Sequence, residues 1–494
     1  MGPPSGHSTG GRAAGIRGRG RGRQRPAVGG TGRGGGRRYG ARAGDGGRRR
    51  YGDGRGGLTG RWIGMLAAMP SPLPRPAVPP ASPAPPASAA GGRGDACPGA
   101  LRLHLADDGG LARVRIPGGV LDAGQWEVLG ALALRHGDGD LHLTSRGNVQ
   151  LRGLDPASGD VLGRALAEAG LLPSPAHERV RNIVASPLSG LDGHGVRPVR
   201  AWLRALDAGL CGSARAAALS GRFLFALDDG RGDMTALRAD VTLRALPGDE
   251  ALVSVGGARF VVAADAAPRA ALRAAEVFLD AAARAPESTR VWRVAELPDG
   301  PPLAEAARDR LADEGVPTRT AIAGPPLPEA APPAPGPYPG ALAVHVPLGR
   351  LSPTAWRELA HAGTALRLTP WRGVVVAGPA GDAAARLAGA GLVTAPGSPW
   401  PRVGACVGQP GCARARADVR GDAARALPAV AASPLPLYWS ACERRCGRPA
   451  EPHADVVAGP DGGYLLSVPG RAPRPVDPAD PARLAAALRA PMGP

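Results

Sequence analysis

Four cysteines near the C-terminal end have the type and spacing of a metal or cluster site. Five residues separate the first pair, three separate the second, and 29 lie between the pairs, which are Cys406, Cys412 and Cys442, Cys446. Four soft thiolates suit either Zn²⁺ or an iron–sulfur cube. Zinc sites favour two to four residues between paired cysteines, whereas the wide, glycine-containing gap here can wrap a cluster and donate backbone N–H groups to its sulfurs. We therefore expect a [4Fe-4S] cluster, with a zinc site and four unrelated core cysteines as the alternatives.

The other two cysteines, Cys97 and Cys211, stand alone in the sequence, and we interpret both as packing residues. Six cysteines in 494 residues do not make a disulfide framework, and the clustering of four favours metal ligation in a reducing compartment. No apolar run approaches the roughly 20 residues of a membrane helix. The apolar stretch 62–69 is too short for a secretory signal. We therefore expect a cytoplasmic protein.

A second candidate group consists of arginines on or beside strand-like segments of the first half of the chain. They are Arg113, Arg115, Arg146, Arg152, Arg179 and Arg181. A guanidinium holds a carboxylate with two parallel charge-assisted bonds, so the group suits a polyanionic substrate. The alternative stays open for each of them: the chain contains no lysine, so arginine also occupies ordinary solvated positions.

An internal repeat supplies the elements that position these side chains. Residues 116–126 align without gaps with residues 346–356, and residues 141–144 then match residues 366–369. Each copy predicts a strand, a turn, a helix and two more strands, with Asp122 and Ser352 as helix N-caps. A longer stretch of mixed α/β pattern follows each copy, so the sequence predicts a duplicated molecule.

The N-terminal part of the chain has a different composition. Residues 1–61 hold 15 arginines against two aspartates, and residues 70–90 are mostly Pro, Ala and Ser. Such segments bury too little surface to offset their ordering entropy, so we expect residues 1–94 to be disordered. We favour upstream sequence ahead of a start at Met65 or Met69. A tail without a specific role and a nucleic-acid-binding tail are the alternatives, and sparse aromatic residues weigh against the last.

The order of these motifs resembles the sulfite/nitrite reductase superfamily and, within it, the precorrin-3B synthases of aerobic cobalamin biosynthesis. The segments that carry the resemblance are Ala96–Gly99, Arg113–Gly119, Leu143–Arg152, Arg181–Pro187 and Cys406–Cys412. It implies an α+β fold of two pseudo-symmetric halves, each with a ferredoxin-like half-domain and a larger mixed α/β domain. We place the half-domains at 95–160 and 340–395, the substrate-binding α/β domain at 161–322, a proline-rich linker at 323–339 and the cluster domain at 396–494.

The resemblance also implies a reaction. Precorrin-3B synthases use O₂ to hydroxylate precorrin-3A and close a γ-lactone on it, so we expect an iron–sulfur-dependent monooxygenase acting on a tetrapyrrole. The expected substrate contacts are Arg115, Arg146, Arg181, Arg222, Asn148 and Gln150, and the catalytic residues stay open. A non-haem iron is implied besides the cluster, with His104, His142 and His177 as the available imidazoles. Electrons from NADH are expected to arrive through a separate reductase, because no dinucleotide fingerprint lies between a strand and a helix.

One departure separates two members of the superfamily. Sulfite-reducing relatives carry a lysine pair that protonates bound sulfite, and the aligned positions here are Arg222 and Leu224. A leucine cannot deliver protons and an always-charged arginine is a poor acid, whereas six-electron reduction needs repeated proton delivery. We therefore expect no sirohaem and keep a sirohaem-dependent sulfite or nitrite reductase as the alternative. In the second copy Trp371 takes the place of Arg146, so only one of the two pseudo-symmetric sites carries the arginine.

Overall fold

The computed structural model describes residues 98–286, 289–298, 302–321, 329–449 and 451–489. These residues belong to one compact unit. The tail expected to be disordered, residues 1–94, and Cys97 lie outside the described residues, as does part of the expected linker.

The first half of the chain folds as a small module followed by a larger one. The small module contains β1 (His104–Ala106), β2 (Gly109–Val114), β3 (Val120–Leu121), α1 (Ala123–His136), β4 (Leu141–Leu143), β5 (Val149–Leu154) and α2 (Gly159–Glu168). The larger module contains β6 (Ile183–Ala185), α3 (Arg200–Gly212), β7 (Phe225–Asp228), β8 (Val241–Leu246), β9 (Glu250–Val255), β10 (Ala258–Ala263), α4 (Ala267–Arg284), α5 (Leu303–Asp313) and β11 (Arg319–Thr320).

The second half repeats this plan. Its small module contains β12 (Gly336–Tyr338), β13 (Ala341–His345), β14 (Arg350–Leu351), α6 (Pro353–Ala360), β15 (Ala365–Leu368), β16 (Gly373–Ala377) and α7 (Ala383–Gly389). Its larger module contains β17 (Val403–Ala405), α8 (Val419–Arg425), α9 (Leu427–Val430), β18 (Leu437–Ser440), β19 (Ala454–Ala458), β20 (Tyr464–Ser467), β21 (Arg474–Val476) and α10 (Pro481–Arg489). The order of small and large modules expected from the sequence is confirmed.

The two small modules exchange a strand. Their sheets have the orders β1-β2-β5-β4-β14 and β12-β13-β16-β15-β3, so each sheet takes its last strand from the other copy. Leu351 pairs with Leu141, and Leu121 pairs with Leu366. The two copies therefore form one interlocked layer, with one hydrophobic core common to both sheets.

Glycine is favoured where each copy crosses to the sheet of the other copy. Gly119 has a φ of +69°, and a Cβ added there would lie 2.0 Å from the carbonyl oxygen of Leu368 in the other copy. Its counterpart Gly349 has a φ of +70°, and a Cβ there would lie 3.0 Å from the carbonyl oxygen of Leu143. Only glycine combines this backbone conformation with so close an approach.

The first helices of the two copies lock together through their tryptophans. The indole N–H of Trp126 donates to the carbonyl oxygen of Trp356 at 2.8 Å, and that of Trp356 donates to the carbonyl oxygen of Gly139 at 3.3 Å. The predicted N-caps are confirmed. The side chains of Asp122 and Ser352 accept the backbone N–H three residues on in α1 and α6.

The two larger modules share a strand topology. Their sheets have the orders β11-β10-β9-β8-β7-β6 and β17-β18-β19-β20-β21. In each, the first three strands along the chain are parallel and the later ones antiparallel. The ends of the parallel strands therefore meet at one edge in each module, and in the second module this edge carries cysteines.

Two boundaries differ from the sequence-based expectation. The boundary placed at residue 160 falls inside α2, whose Leu162 and Leu166 are buried in the shared core. The linker placed at 323–339 contains β12, which pairs with β13 as an edge strand. An edge position tolerates Pro337, which is why a proline-rich stretch there still forms a strand. In the described ranges, no helix has the length and apolarity needed to cross a bilayer.

Candidate functional site

The four clustered cysteines lie in loops at one edge of the fourth sheet. Cys406 directly follows β17, and Cys442 lies two residues after the end of the neighbouring parallel strand β18. The backbone N–H of Cys406 donates to the carbonyl oxygen of Trp439 at 2.9 Å, which continues the ladder beyond β17. Cys446 is exposed and the other three are half-buried. The fold thus brings together the two cysteine pairs predicted from the sequence.

Backbone N–H groups point at the sulfur of Cys406. Ala441 donates to this Sγ at 3.2 Å, and Gly408 donates to it as well. Burial raises the pKa of the Cys406 thiol, these two hydrogen bonds lower it, and the nearby Cys446 and Cys442 raise it further, so that the pKa stays above its usual value. The predicted loop geometry, with N–H groups directed at sulfur, is present at this cysteine.

The spacing of the sulfurs differs from that of a single-ion site. Four thiolates bound to one zinc at about 2.3 Å are about 3.8 Å apart. In the part of the chain that the structure describes, the group of three or more ligand side chains with atoms within 4.8 Å of one another contains none of the cysteines. A four-iron cube binds one cysteine at each corner and spaces the sulfurs more widely than one zinc ion does.

The cluster loop docks on the first small module. Arg152 on β5 forms a two-bond ion pair with Asp108, at 2.9 and 2.8 Å, and also donates to the carbonyl oxygen of Gly411 at 3.3 Å. The side chain of Asp107 accepts the N–H of Ala413 at 2.8 Å. Arg152 therefore positions the loop between the first two cysteines.

Three of the predicted substrate residues converge on one cavity. Arg115 and Arg146 both donate to the carbonyl oxygen of Gly221, at 3.2 and 3.3 Å, and Arg146 also reaches the carbonyl oxygen of Arg222 at 3.0 Å. The cavity beside them, about 320 Å³ in volume, is lined by Pro98, Arg113, Arg115, Thr144, Ser145, Arg146 and Arg222. The lining of this cavity contains four arginines and no carboxylate.

The remaining predicted substrate residues have other partners. Arg181 forms a two-bond ion pair with Asp207 at 2.7 and 2.8 Å, and both line a neighbouring cavity of about 230 Å³ that Arg115 also borders. Asn148 is buried and accepts the N–H of Ile116 at 2.9 Å, which is a structural role. The Gln150 side chain lies against the guanidinium of Arg113.

The position expected to lack a proton donor is apolar in the fold. Leu224 is buried in a small cluster with Val184, Ala226 and Met234. Trp371, which replaces Arg146 in the second copy, packs against the same cluster. The side chain at this position therefore lies in a buried apolar cluster, and its backbone N–H donates to Asp240 at 2.8 Å.

A further cavity, about 880 Å³ in volume, was not predicted from the sequence. It lies between the first small module and the cluster loop, where it is lined by Arg152, Arg350, Arg420 and residues 409–411 among others. Asp138, Asp140 and His142 line it too and hold their ligand atoms within 4.8 Å of one another. The signal was available: residues two apart in an extended segment share a side, so Asp-x-Asp-x-His predicts such a group.

The other two candidate imidazoles do not join this group. His177 is buried and bonded to Ser174 and Ser213, and His104 is exposed on β1. Burial raises the pKa of Asp138, but the hydrogen bond and charge of His142 outweigh it, so the net pKa is lowered and the carboxyl is held ionised.

Comparisons with known proteins agree with this architecture. The profile of the nitrite/sulfite reductase ferredoxin-like half domain matches residues 104–169. A precorrin-3B synthase from Sinorhizobium sp is 28% identical over 402 residues, which cover 77% of this chain and 84% of that protein. The resemblance predicted from the sequence is confirmed.

Other relatives match a smaller part of the chain or only its fold. A ferredoxin–nitrite reductase from Leptolyngbya laminosa is 36% identical over 96 residues, and the match spans 19% of this chain and 19% of that relative. The structure of the Mycobacterium tuberculosis NirA protein superposes with a TM-score of 0.57 at 19% identity, covering 74% of this chain and 77% of that one. The fold is therefore that of the nitrite and sulfite reductases, whose members are oxidoreductases.

Proposed function

We propose that this chain is a precorrin-3B synthase, which hydroxylates precorrin-3A with O₂ and closes a γ-lactone on the product. The observation that carries the proposal is the extent of the matches: the chain aligns with 84% of a precorrin-3B synthase but with only 19% of the nitrite reductase. The alignment includes both halves of the duplicated fold, whereas the nitrite reductase match covers a segment.

The cluster site supports a redox reaction. Cys406, Cys412, Cys442 and Cys446 would hold a [4Fe-4S] cluster, which supplies one-electron transfer when bound. The N–H groups of Gly408 and Ala441 stabilise negative charge on the sulfur of Cys406. Arg152 fixes the loop that contains Gly411 against the first small module.

The arginine-lined cavities support a substrate with many carboxylates. Arg115 borders both cavities, one of which is also lined by Arg146 and Arg222 and the other by Arg200, Arg204 and the Arg181–Asp207 pair. A single small anion would need one of these cavities. A tetrapyrrole carries acetate and propionate groups around its ring. These carboxylates can enter both cavities, and an arginine can hold each carboxylate by a charge-assisted pair.

The lack of a side-chain proton donor at position 224 favours the synthase over sulfite or nitrite reduction. Leu224 is buried and packs with Val184, Ala226 and Met234. The reduction of sulfite or nitrite consumes several protons at one atom, and a leucine cannot deliver them.

The proposed reaction balances with two electrons from a reduced donor. One oxygen atom of O₂ enters the product, and the other leaves as water with two protons and two electrons, which NADH provides through a separate reductase. The oxygen-bearing carbon is the meso position of the macrocycle, and the lactone closes with the acetate of ring A.

The test is a turnover assay with ¹⁸O₂, precorrin-3A and a chemical electron donor, read by mass spectrometry. We expect a product heavier than precorrin-3A by one ¹⁸O atom. The Cys406→Ser chain should give no product, and the Cys211→Ser chain, which changes a cysteine outside the cluster, should retain turnover. Consumption of sulfite or nitrite by the same protein, with no oxygen incorporation, would replace the proposal by the reductase alternative.

A further inference from the structure

We propose that Arg372 and Arg420 are half-buried counter-charges of the cluster and raise its reduction potential. The inference rests on the proposed [4Fe-4S] cluster, but not on the reaction that the cluster serves. Four thiolates outweigh the positive charge of the core, so the loaded site is anionic, and an electron that enters it adds negative charge. Net charge and solvent exposure help to set the potential of such clusters. A fixed cation beside the cysteines therefore favours the reduced state.

These two arginines lack the carboxylate partners that neighbouring arginines have. Arg152 and Arg350 form ion pairs with aspartates of the first small module. Among the described residues, Arg372 and Arg420 form no ion pair, and both side chains are half-buried. A cation that is partly removed from water and has no anion nearby is costly. The cysteines that lie beside both arginines supply the missing negative charge.

Arg420 contacts the first cysteine. Its Nε donates to the carbonyl oxygen of Cys406 at 3.3 Å, and its side chain lies beside the cluster loop in the lining of the 880 Å³ cavity. Burial and the charges of three neighbouring arginines lower the pKa of Arg420, whereas the charge of Cys406 raises it. An arginine still carries its charge near neutral pH under such conditions. The Cys406 thiolate is thus the anion next to this guanidinium.

Arg372 lies against β17, the strand that leads to Cys406. A Cβ added to Gly404, two residues before this cysteine, would lie 3.4 Å from Nη1 of Arg372. The same Cβ would lie 2.7 Å from Cδ2 of Tyr438, whose hydroxyl donates to the carbonyl oxygen of Cys446 at 2.7 Å. The guanidinium is therefore near the strand that positions the first cysteine and near a side chain that contacts the fourth.

The backbone of Arg372 is strained for a residue with a side chain. Its φ is +56°, in the left-handed region that favours glycine. The corresponding residue of the first copy is Gly147, with a φ of +64°. The second copy thus holds an arginine where glycine would fit the backbone better. Strain of this kind is concentrated at functional sites, which is the role proposed for the charge of Arg372.

The two halves of the molecule differ at both places. Gly404 is the second residue of β17, and Val184 is the second residue of β6, the strand at the same place in the other large module. The side chain of Val184 is buried, so it fills the space that Gly404 leaves open to Arg372. The half with the four cysteines therefore combines glycine on the strand with arginine beside it, whereas the other half has valine and Gly147.

The experiment is an EPR-monitored redox titration of the full-length, cluster-loaded protein under anaerobic conditions. Arg420→Gln should lower the midpoint potential by about 59 mV or more, which is a tenfold change in the reduction equilibrium of a one-electron couple. Arg420→Lys keeps the charge and should stay closer to the wild-type potential. Arg414→Gln is the matched control. It removes an exposed arginine two residues after Cys412, where water and salt screen the charge, so its shift should be smaller.

Arg372→Gly separates the effect of charge from a folding defect. It installs the residue of the first copy, which suits the left-handed backbone, so the chain should fold and load its cluster while the potential falls. Iron and sulfide are assayed in every variant. Wild-type potentials in loaded Arg420→Gln and Arg372→Gly, or an equal shift in Arg414→Gln, would overturn the counter-charge role alone. A wild type without iron and sulfide would overturn the proposed cluster, and this inference with it.

Discussion

The strand ends that carry the cysteines have a counterpart in the first half of the molecule. After β6, the N–H of Ser186 donates to the carbonyl oxygen of Leu227 at 3.0 Å, and the N–H of Asp229 donates to Oγ of Ser186 at 3.2 Å. After β17 the same two bonds, of 2.9 and 3.2 Å, join Cys406, Trp439 and Ala441. Ser186 therefore occupies the place of the first cysteine.

The side chains in the loops after β6 and β17 differ. Oγ of Ser186 donates to Asp233 at 2.6 Å, and Arg231 bonds to both Asp229 and Asp192. Asp233 is 1% exposed. Hydroxyl and carboxylate groups replace thiols here, so the first loop closes on itself with ion pairs. The two halves thus have the same two hydrogen bonds at corresponding strand ends, and their side chains differ: a serine stands in the first half where a cysteine stands in the second.

The strongest test gives the loop after β17 the serine that the loop after β6 has at the corresponding place. Cys406→Ser should lose the cluster, because a serine hydroxyl is not the soft, readily ionised ligand that iron–sulfur clusters take. Iron, acid-labile sulfide and visible absorption should all fall to near zero. Cys211→Ser is the matched control and should keep all three. A Cys406→Ser chain with full cluster content would show that Cys406 is not a ligand.

The next largest effect is expected where the two small modules cross. Gly119→Ala places a methyl group 2.0 Å from the carbonyl oxygen of Leu368, whereas Gly349→Ala meets backbone at 3.0 Å and the flexible side chain of Arg372 at 2.8 Å. We expect Gly119→Ala to accumulate as insoluble protein and Gly349→Ala to fold with a lowered thermal midpoint. Solubility and calorimetry check this. Equal solubility and equal thermal midpoints of the two variants would contradict the tighter packing at Gly119 than at Gly349.

The buried carboxyl group of Asp233, which accepts from Ser186, should make the free energy of unfolding depend on pH. Burial raises the pKa of Asp233 to about 7; the hydrogen bond from Ser186 lowers it, and the charges of Asp228 and Asp229 raise it. Between the ordinary value of 3.8 and this value, the unfolded chain releases a proton that the folded chain keeps. Stability therefore falls as pH rises through this window and levels off above it.

Asp233→Asn removes this titration. Between pH 5 and pH 8 the wild type should lose more stability than the variant, by about 3 kcal/mol. Unfolding midpoints at the two pH values measure the difference, and Asp265→Asn, on an exposed turn, is the control. Parallel pH profiles of wild type and Asp233→Asn would show that this carboxyl is ionised in the folded chain.

A smaller effect is expected when Arg146 is replaced by its counterpart in the second copy. Arg146→Trp mimics Trp371, and Arg146→Gln removes the charge without adding bulk. Losing a hydrogen bond to a charged group costs about 1.5–3 kcal/mol, which raises KM for the tetrapyrrole by about 10- to 100-fold. Iron content should not change. Arg135→Gln, on the exposed side of α1, should keep the wild-type KM, and an unchanged KM in both Arg146 variants would remove Arg146 from the substrate site.

The features that the sequence predicted are those that depend on local pattern. The repeat, the helix caps at Asp122 and Ser352, and the cysteine pairs follow from residue type at fixed spacing. The fold contains the repeat and both caps, and the ligand role of the cysteines stays a prediction. The exchange of β3 and β14 was not predicted, because two-residue strands carry no periodic signal. The same limit applies to β12, whose proline and glycine resemble a linker.

Individual arginines were the least predictable part of the site. Arg115 and Arg146 converge on one carbonyl oxygen, whereas Arg181 is paired with Asp207, which is 26 residues away in the sequence. In a chain without lysine, residue type does not distinguish a substrate contact from an ion pair, and only the tertiary partner does. The Asp138–His142 group was missed because each residue was considered alone.

The most direct test of the account is the cofactor content of the anaerobically purified protein. Iron and sulfide assays, the absorption spectrum and an acid–acetone extraction are made on the same sample. The account predicts broad iron–sulfur absorption, four or slightly more irons per chain and no extractable sirohaem. About one sirohaem extracted per chain would contradict the proposed synthase and favour sulfite or nitrite reduction, and absence of sulfide with one zinc per chain would contradict the cluster itself.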